Sequence, residues 1–266
     1  MNFSSLVREI LNFFISVYFY ISISLIFFGA YLKLLLGKYS WQEYIDYSKK
    51  VLDLVKKISK KIYIEGERNL KEVSPPLIII SNHMSSLETL IFGYILGRYF
   101  RISFVVKDSL LKYPVIGRLI KFLNPIAVGR KNARDDFEII LKKAKNLIDK
   151  KISIVVFPQG RRSKLIDRKN FNKIGIKLSK AFNIDLLPIC VKTDFLEIGK
   201  LIRDIGKINP QNALHIRIFT PIKSSNLDRT THDYIIDLFK NTLNNWMQNI
   251  ILYFLLNSFI IYYILI

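Results

Sequence analysis

The stretch Ser81–Leu90 (SNHMSSLETL) places one of only three histidines in the chain shortly ahead of a glutamate. A neutral imidazole takes a proton from a hydroxyl near neutral pH. A carboxylate on its other nitrogen orients the ring and stabilises the imidazolium. His83 and Glu88 are therefore a candidate base and its partner. On one continuous helix, side chains at this spacing point about 140° apart. The pair can meet only if His83 sits in a turn before the helix, and the apolar run Leu77–Ile80 ending just upstream leaves room for one. A plainer reading fits the same letters. Ser85 and Glu88 have the spacing of a capping box, in which the glutamate reaches back to the first amides of a helix. Spacing alone leaves both open, and a capping glutamate already points toward the turn that carries His83.

Two further clusters could hold an anion. In Phe157–Ser163 (FPQGRRS), Pro158 and Gly160 enforce a turn after an apolar run, and Arg161 and Arg162 offer planar forks suited to phosphate. Lys107 ends the run ISFVVK, and Arg130 ends LNPIAVGR. Each of these is a solvated surface charge on the bland reading; together, at the ends of neighbouring apolar runs, they gain weight. His215 in an alternating strand and Cys190 in the apolar run LLPICV read as structural. His232 next to Asp233 looks like a dyad but reads as a helix N-terminus. There is no P-loop, dinucleotide glycine fingerprint or metal-ligand cluster, and one cysteine builds no disulfide framework.

These residues need elements to position them. From Ile62, short apolar runs (IYIEG, LIIIS, ISFVV, ISIVVF, DLLPICV, ALHIRIF) alternate with helical patterns. The patterns include Ala133–Lys150, capped by Asn132, a helix near Lys173–Phe182, and Thr231–Gln248. Buried-looking strands alternating with helices argue for an α/β domain with a mostly parallel sheet flanked by helices. In such sheets chemistry gathers where strands end, which is where the three polar clusters fall.

The ends of the chain differ from this domain. Ile10–Leu32 carries no charge and is long enough for a bilayer core of about 30 Å. It can serve as an anchor or as a helix lying in one leaflet. Gly37 ends it, and Trp41–Ser59 follows as an amphipathic helix with Tyr44, Ile45, Val51, Leu52, Val55 and Ile58 as its apolar stripe. Lys33, Lys38, Lys49 and Lys50 place the rest of the chain on the cytoplasmic side. Ile250–Ile266 is apolar apart from Asn257 and Ser258 and reads as a hydrophobic C-terminal helix. The expected organisation is a membrane-associated helix pair over residues 1–60, the α/β domain over 61–248 and a hydrophobic segment over 249–266. The net charge of +20 over 266 residues is compatible with nucleic acid, membrane headgroups or phosphate-bearing substrates and does not choose among them, while the mean hydropathy of +0.23 points to a membrane contribution. Nucleic acid is not the expected partner, because the aromatic residues lie mostly in apolar runs instead of among the lysines and arginines.

Taken in order, NHMSSLE, KDSLLKYPVIGRLIKFLNPIAVGR, FPQGRRS and LLPICV resemble the blocks of the glycerolipid acyltransferases, in particular the bacterial 1-acylglycerol-3-phosphate acyltransferases of the PlsC type. That pattern is NHx4D, a lysine-to-arginine block, FPEGTRS and a proline-bearing strand, and the similarity covers about Ile62–Ile222. The resemblance implies a bacterial inner-membrane enzyme with its catalytic domain on the cytoplasmic face. It would move a fatty acyl group from a thioester, acyl-CoA or acyl carrier protein, to the free hydroxyl of lysophosphatidate, with no cofactor. His83 and Glu88 would be catalytic, and Asn82, Lys107, Arg130, Gly160, Arg161 and Arg162 would bind substrate. Three positions depart from the pattern: Glu88 for Asp, Gln159 for Glu and Arg161 for Thr. The last two bear on which acceptor is used. An acyltransferase for another lysolipid and a non-catalytic lipid-binding protein are the alternatives.

Overall fold

A computed structural model describes residues 3–59, 61–199 and 205–264. Two helices come first, α1 (Phe3–Leu35) and α2 (Trp41–Ser59). Gly37, at φ 67°, ends α1 in the left-handed conformation that a side chain resists. The Lys38 amide bonds back to the Lys33 carbonyl at 2.9 Å and that of Gly37 to Leu34 at 3.2 Å, a Schellman closure. The expected α2 stripe is buried at Tyr44, Ile45, Val51, Leu52 and Val55. It packs on α3 (Leu87–Ile95) at very short range: a Cβ on Gly93 would stand 2.6 Å from the Tyr44 ring and 2.8 Å from Ser48. Ser48 spans the joint, donating to the Leu90 carbonyl and accepting from the Tyr94 amide at 2.8 Å.

Seven strands form one sheet: β1 (Ile62–Glu65), β2 (Ile78–Ser81), β3 (Ile102–Lys107), β4 (Ile126–Val128), β5 (Ser153–Val156), β6 (Leu186–Lys192) and β7 (Leu214–Ile218). Their order is β1-β7-β6-β2-β5-β3-β4. From β6 to β4 all neighbours are parallel; β7 runs against β6, and β1 runs with β7. Every residue of β2, β5 and β6 is buried. Burial on both faces explains why these strands read as unbroken apolar runs. One face is covered by α1, α2 and α3. The other carries α5 (Ala133–Asp149), α6 (Ile174–Phe182) and α7 (Thr231–Ile264).

Two details differ from the sequence reading. The stretch between β3 and β4, read as a loop, holds a 3-10 turn and α4 (Ile116–Phe122), a helix too short to show a period. The last helix does not stop at Gln248. It runs without a break to Ile264, so the hydrophobic end is the second half of α7 and not a separate helix; Leu265 and Ile266 lie outside the described residues. Asn132 caps α5 as expected, accepting from the Arg134 amide at 2.9 Å.

Candidate active site

β2 ends at Ser81 and α3 begins at Leu87, so His83 lies in the intervening turn. Asn82 builds that turn. Its side chain is buried, donates to the Val191 carbonyl at 2.8 Å and accepts from the Val191 amide at 2.7 Å. This corrects the expectation that Asn82 touches substrate: its amide is spent on β6, where it continues the strand pairing past the end of β2.

The His83 ring stacks on Phe157 at 4.3 Å, with 22° between the planes. Its Nδ1 faces Oε2 of Glu88 at 3.5 Å. Glu88 is fully buried. Its other oxygen, Oε1, accepts from the amides of Met84 at 2.8 Å and Ser85 at 2.7 Å and from the Thr193 hydroxyl. Ser85 Oγ accepts from the Leu87 amide at 3.1 Å and donates to Thr193 Oγ1 at 3.0 Å. The carboxylate is thus divided, with Oε1 bonded at the helix start and Oε2 facing the imidazole. Among the described residues, neither Nδ1 nor Oε2 has a hydrogen-bond partner at normal distance. At 3.5 Å the contact is longer than a closed hydrogen bond, as catalytic contacts often are before substrate tightens them. A proton on Nδ1 directed at Oε2 leaves Nε2 with its lone pair free.

His83 opens into a cleft of about 210 Å³. Val106, Leu110, Val128 and Ile140 give it apolar walls, and Lys107, Arg130 and Gly160 also line it. Arg130 adopts φ 56°, and its guanidinium donates to the Gly160 carbonyl. Partial desolvation, and after it the like charge of Arg161, holds Arg130 below the usual guanidinium range, with Asp136 acting against them. Asp136 meanwhile accepts from the Gly129 amide at 3.0 Å and steadies the chain just before Arg130. Gly160 turns at φ 63°, and a Cβ there would meet nothing within 4 Å, so the glycine serves the backbone and not packing. The fold thus brings His83, Lys107, Arg130 and Gly160 to one cleft, with Glu88 behind the histidine and Arg161 beside Arg130. Arg162 stands on the same turn as Gly160 and Arg161.

Thr193 escaped the sequence reading. It follows β6 directly, and the pairing of Ser81 with Ile189 carries the end of that strand up against the His83 turn. The only trace in the sequence is a hydroxyl at the end of a buried apolar run.

α1 is, among the described residues, the helix long and apolar enough to cross a membrane. Its outward face exposes Phe13, Phe14, Ile21 and Leu25. Its other face is fastened to the domain along its length. Glu9 pairs with Lys207 at 2.9 Å, Ser16 Oγ accepts from the Ile208 amide at 3.0 Å, Tyr20 donates to the Gly206 carbonyl at 2.7 Å, and the Tyr31 hydroxyl accepts from Arg118 at 2.9 Å.

Comparison with known proteins agrees with this architecture. The family model described as Acyltransferase matches residues 61–192. A 1-acyl-sn-glycerol-3-phosphate acyltransferase of Borreliella burgdorferi is 30% identical over 129 residues, 48% of this chain and 50% of that protein. A chloroplastic enzyme of the same description from Arabidopsis thaliana is 29% identical over 172 residues, 63% of this chain and 45% of its own. The chain spans about half the length of these curated relatives. The solved structure of the 1-acyl-sn-glycerophosphate acyltransferase PlsC from Thermotoga maritima superposes with a TM-score of 0.66 at 20% identity, over 90% of this chain and 98% of that one. The mostly parallel sheet, its flanking helices and the N-terminal apolar helix are the fold the two share.

Proposed function

The chain belongs to the glycerolipid acyltransferase family, and from that premise we propose that it transfers a fatty acyl group from a thioester to the sn-2 hydroxyl of lysophosphatidate, giving phosphatidate. The observation that carries the reading is the division of Glu88: Oε1 is tied to the helix start and Oε2 faces Nδ1 of His83 at 3.5 Å. This leaves Nε2 as the base toward a cleft that is both apolar and basic.

The chemistry follows from those groups. His83 Nε2 accepts the proton of the acceptor hydroxyl as the oxygen attacks the thioester carbonyl. Glu88 holds the imidazolium that forms. The tetrahedral intermediate collapses by breaking the carbon–sulfur bond, and the imidazolium returns its proton to the leaving thiolate. A thioester is already activated, so no covalent enzyme intermediate is needed. Lys107, Arg130, Arg161 and Arg162 supply the charge to hold the acceptor phosphate and present its hydroxyl, so that positioning lowers the barrier. The proposed donor is a thioester, acyl-CoA or acyl carrier protein.

The lipid acceptor is reached through α1. That helix is bonded to the domain from Glu9 to Tyr31 and exposes a bare apolar face, which supports its resting in the leaflet; the proposed side is the cytoplasmic one.

The test incubates membranes containing the protein with lysophosphatidate and labelled acyl-CoA or acyl carrier protein. Wild type yields labelled phosphatidate and His83→Ala does not. Equal product from both overturns the enzymatic reading. Product only from other lysolipids reassigns the acceptor.

A further inference from the structure

We infer that Gln159 is a positioning residue for His83, acting on the histidine backbone and not on either substrate. The inference rests on the reading of His83 as the base. His83 lies outside regular structure, between the end of β2 and the start of α3, so no helix or strand ladder fixes its peptide groups. The Gln159 side chain supplies one fixture. Its Oε1 accepts from the His83 amide at 2.7 Å while its Nε2 donates to the Leu165 carbonyl at 3.0 Å. The other fixture comes from the same segment: the Ser163 amide donates to the His83 carbonyl at 2.8 Å. Both polar groups of the His83 backbone are therefore held by Gln159–Ser163, the turn that carries Gly160, Arg161 and Arg162.

The bonding pattern requires an amide. The group facing His83 must accept, and the group facing Leu165 must donate, because that carbonyl also takes the Ser163 hydroxyl at 2.8 Å and offers nothing to an acceptor. A carboxylate meets the first demand and is repelled by the second. The departure at Gln159 thus bears on the base. It couples the placement of the anion-binding turn to the placement of the imidazole, whose ring meets the Phe157 stack and the open contact to Glu88.

The test uses the full chain in detergent micelles, with steady-state kinetics of phosphatidate formation and nitrogen-labelled histidine NMR. The chain has only three histidines, and the His83 signals are identified by their loss in His83→Ala. Gln159→Met keeps the length and loses both hydrogen bonds. Its kcat is expected to fall on the order of ten- to a hundredfold, the scale of an ångström misplacement. KM for lysophosphatidate should stay within about twofold and the His83 ring signals should shift or broaden. Gln159→Glu keeps the bond to the His83 amide and serves as the second variant should the first not fold. Its added negative charge favours the imidazolium, so the acid limb of its rate profile moves to higher pH, and its kcat stays below wild type because the Leu165 carbonyl loses its donor. Wild-type kcat and unchanged His83 signals in Gln159→Met overturn the inference, as does a change confined to KM. If wild type itself forms no phosphatidate while the His83 signals still respond to Gln159→Met, the proposed reaction fails and the positioning role stands.

Discussion

Glu88 divides its carboxylate between two tasks: Oε1 receives the Met84 and Ser85 amides and the Thr193 hydroxyl, while Oε2 stands 3.5 Å from Nδ1 of His83. Substitutions can separate the two. In Glu88→Gln the crowd of donors at Oε1 selects the amide oxygen for that place, which turns the NH2 group toward the imidazole. Nδ1 must then accept, the proton moves to Nε2, and the base is lost. Activity is expected to drop roughly 10²- to 10⁴-fold with little change in melting temperature. Glu88→Ala also strands two buried amides, at about 1–3 kcal/mol each. Parallel thermal melts and acyl-transfer assays check both.

Thr193→Val keeps the shape of the side chain and removes the hydroxyl that donates to Glu88 and accepts from Ser85. The expected outcome is a several-fold fall in kcat with KM unchanged, and a loss of about 1–2 kcal/mol in stability from denaturant titration. Thr193→Ser restores the activity.

His215 is stacked between Tyr63 at 4.8 Å and Trp246 at 5.0 Å. Burial first, and then the charge of Lys192, pushes it from 6.5 down to about 4. The unfolded chain binds this proton near pH 6.5 and the folded protein only near pH 4, so its contribution to stability is complete above pH 6.5 and is lost as the pH falls toward about 4. His215→Phe retains the stack without the titration. Denaturation midpoints measured across this range should slope less steeply with pH in the variant than in wild type.

Phe14 and Leu25 on α1 are exposed at 63% and 66%. Replacing both with serine should leave the melting temperature of the domain in place and weaken binding to anionic vesicles. Each apolar side chain contributes roughly 1.5–3 kcal/mol when buried in lipid, so the pair is worth at least a hundredfold in partition. Vesicle flotation measures it.

Much of the fold could be read from local pattern, because β2, β5 and β6 are buried on both faces and leave unbroken apolar runs, and because α2 shows one face to the core. Strand direction is not a local property, so the reversal of β7 against β6 had no sign in Leu214–Ile218. The site divides in the same way. His83, Glu88 and the basic residues announce themselves by type and spacing. Thr193 reaches Glu88 only through the pairing of β6 with β2, and Gln159 reaches His83 only through the fold of its own turn. Asn82 looked like a ligand group because nothing in the letters reveals that Val191 would lie opposite it.

The reversal of β7 has a consequence for traffic. Since β6 ends and β7 begins at the same end of the sheet, the connection between them must leave and return beside the His83 turn. That connection is what α1 grips, at Gly206, Lys207 and Ile208, and Glu197 within it pairs with Lys164 just past the arginine turn at 3.8 Å. The greasy helix is consequently moored at the doorway and not at the back of the domain. The apolar face of α1 is thereby held on the same side of the sheet's end as the turn that carries the arginines.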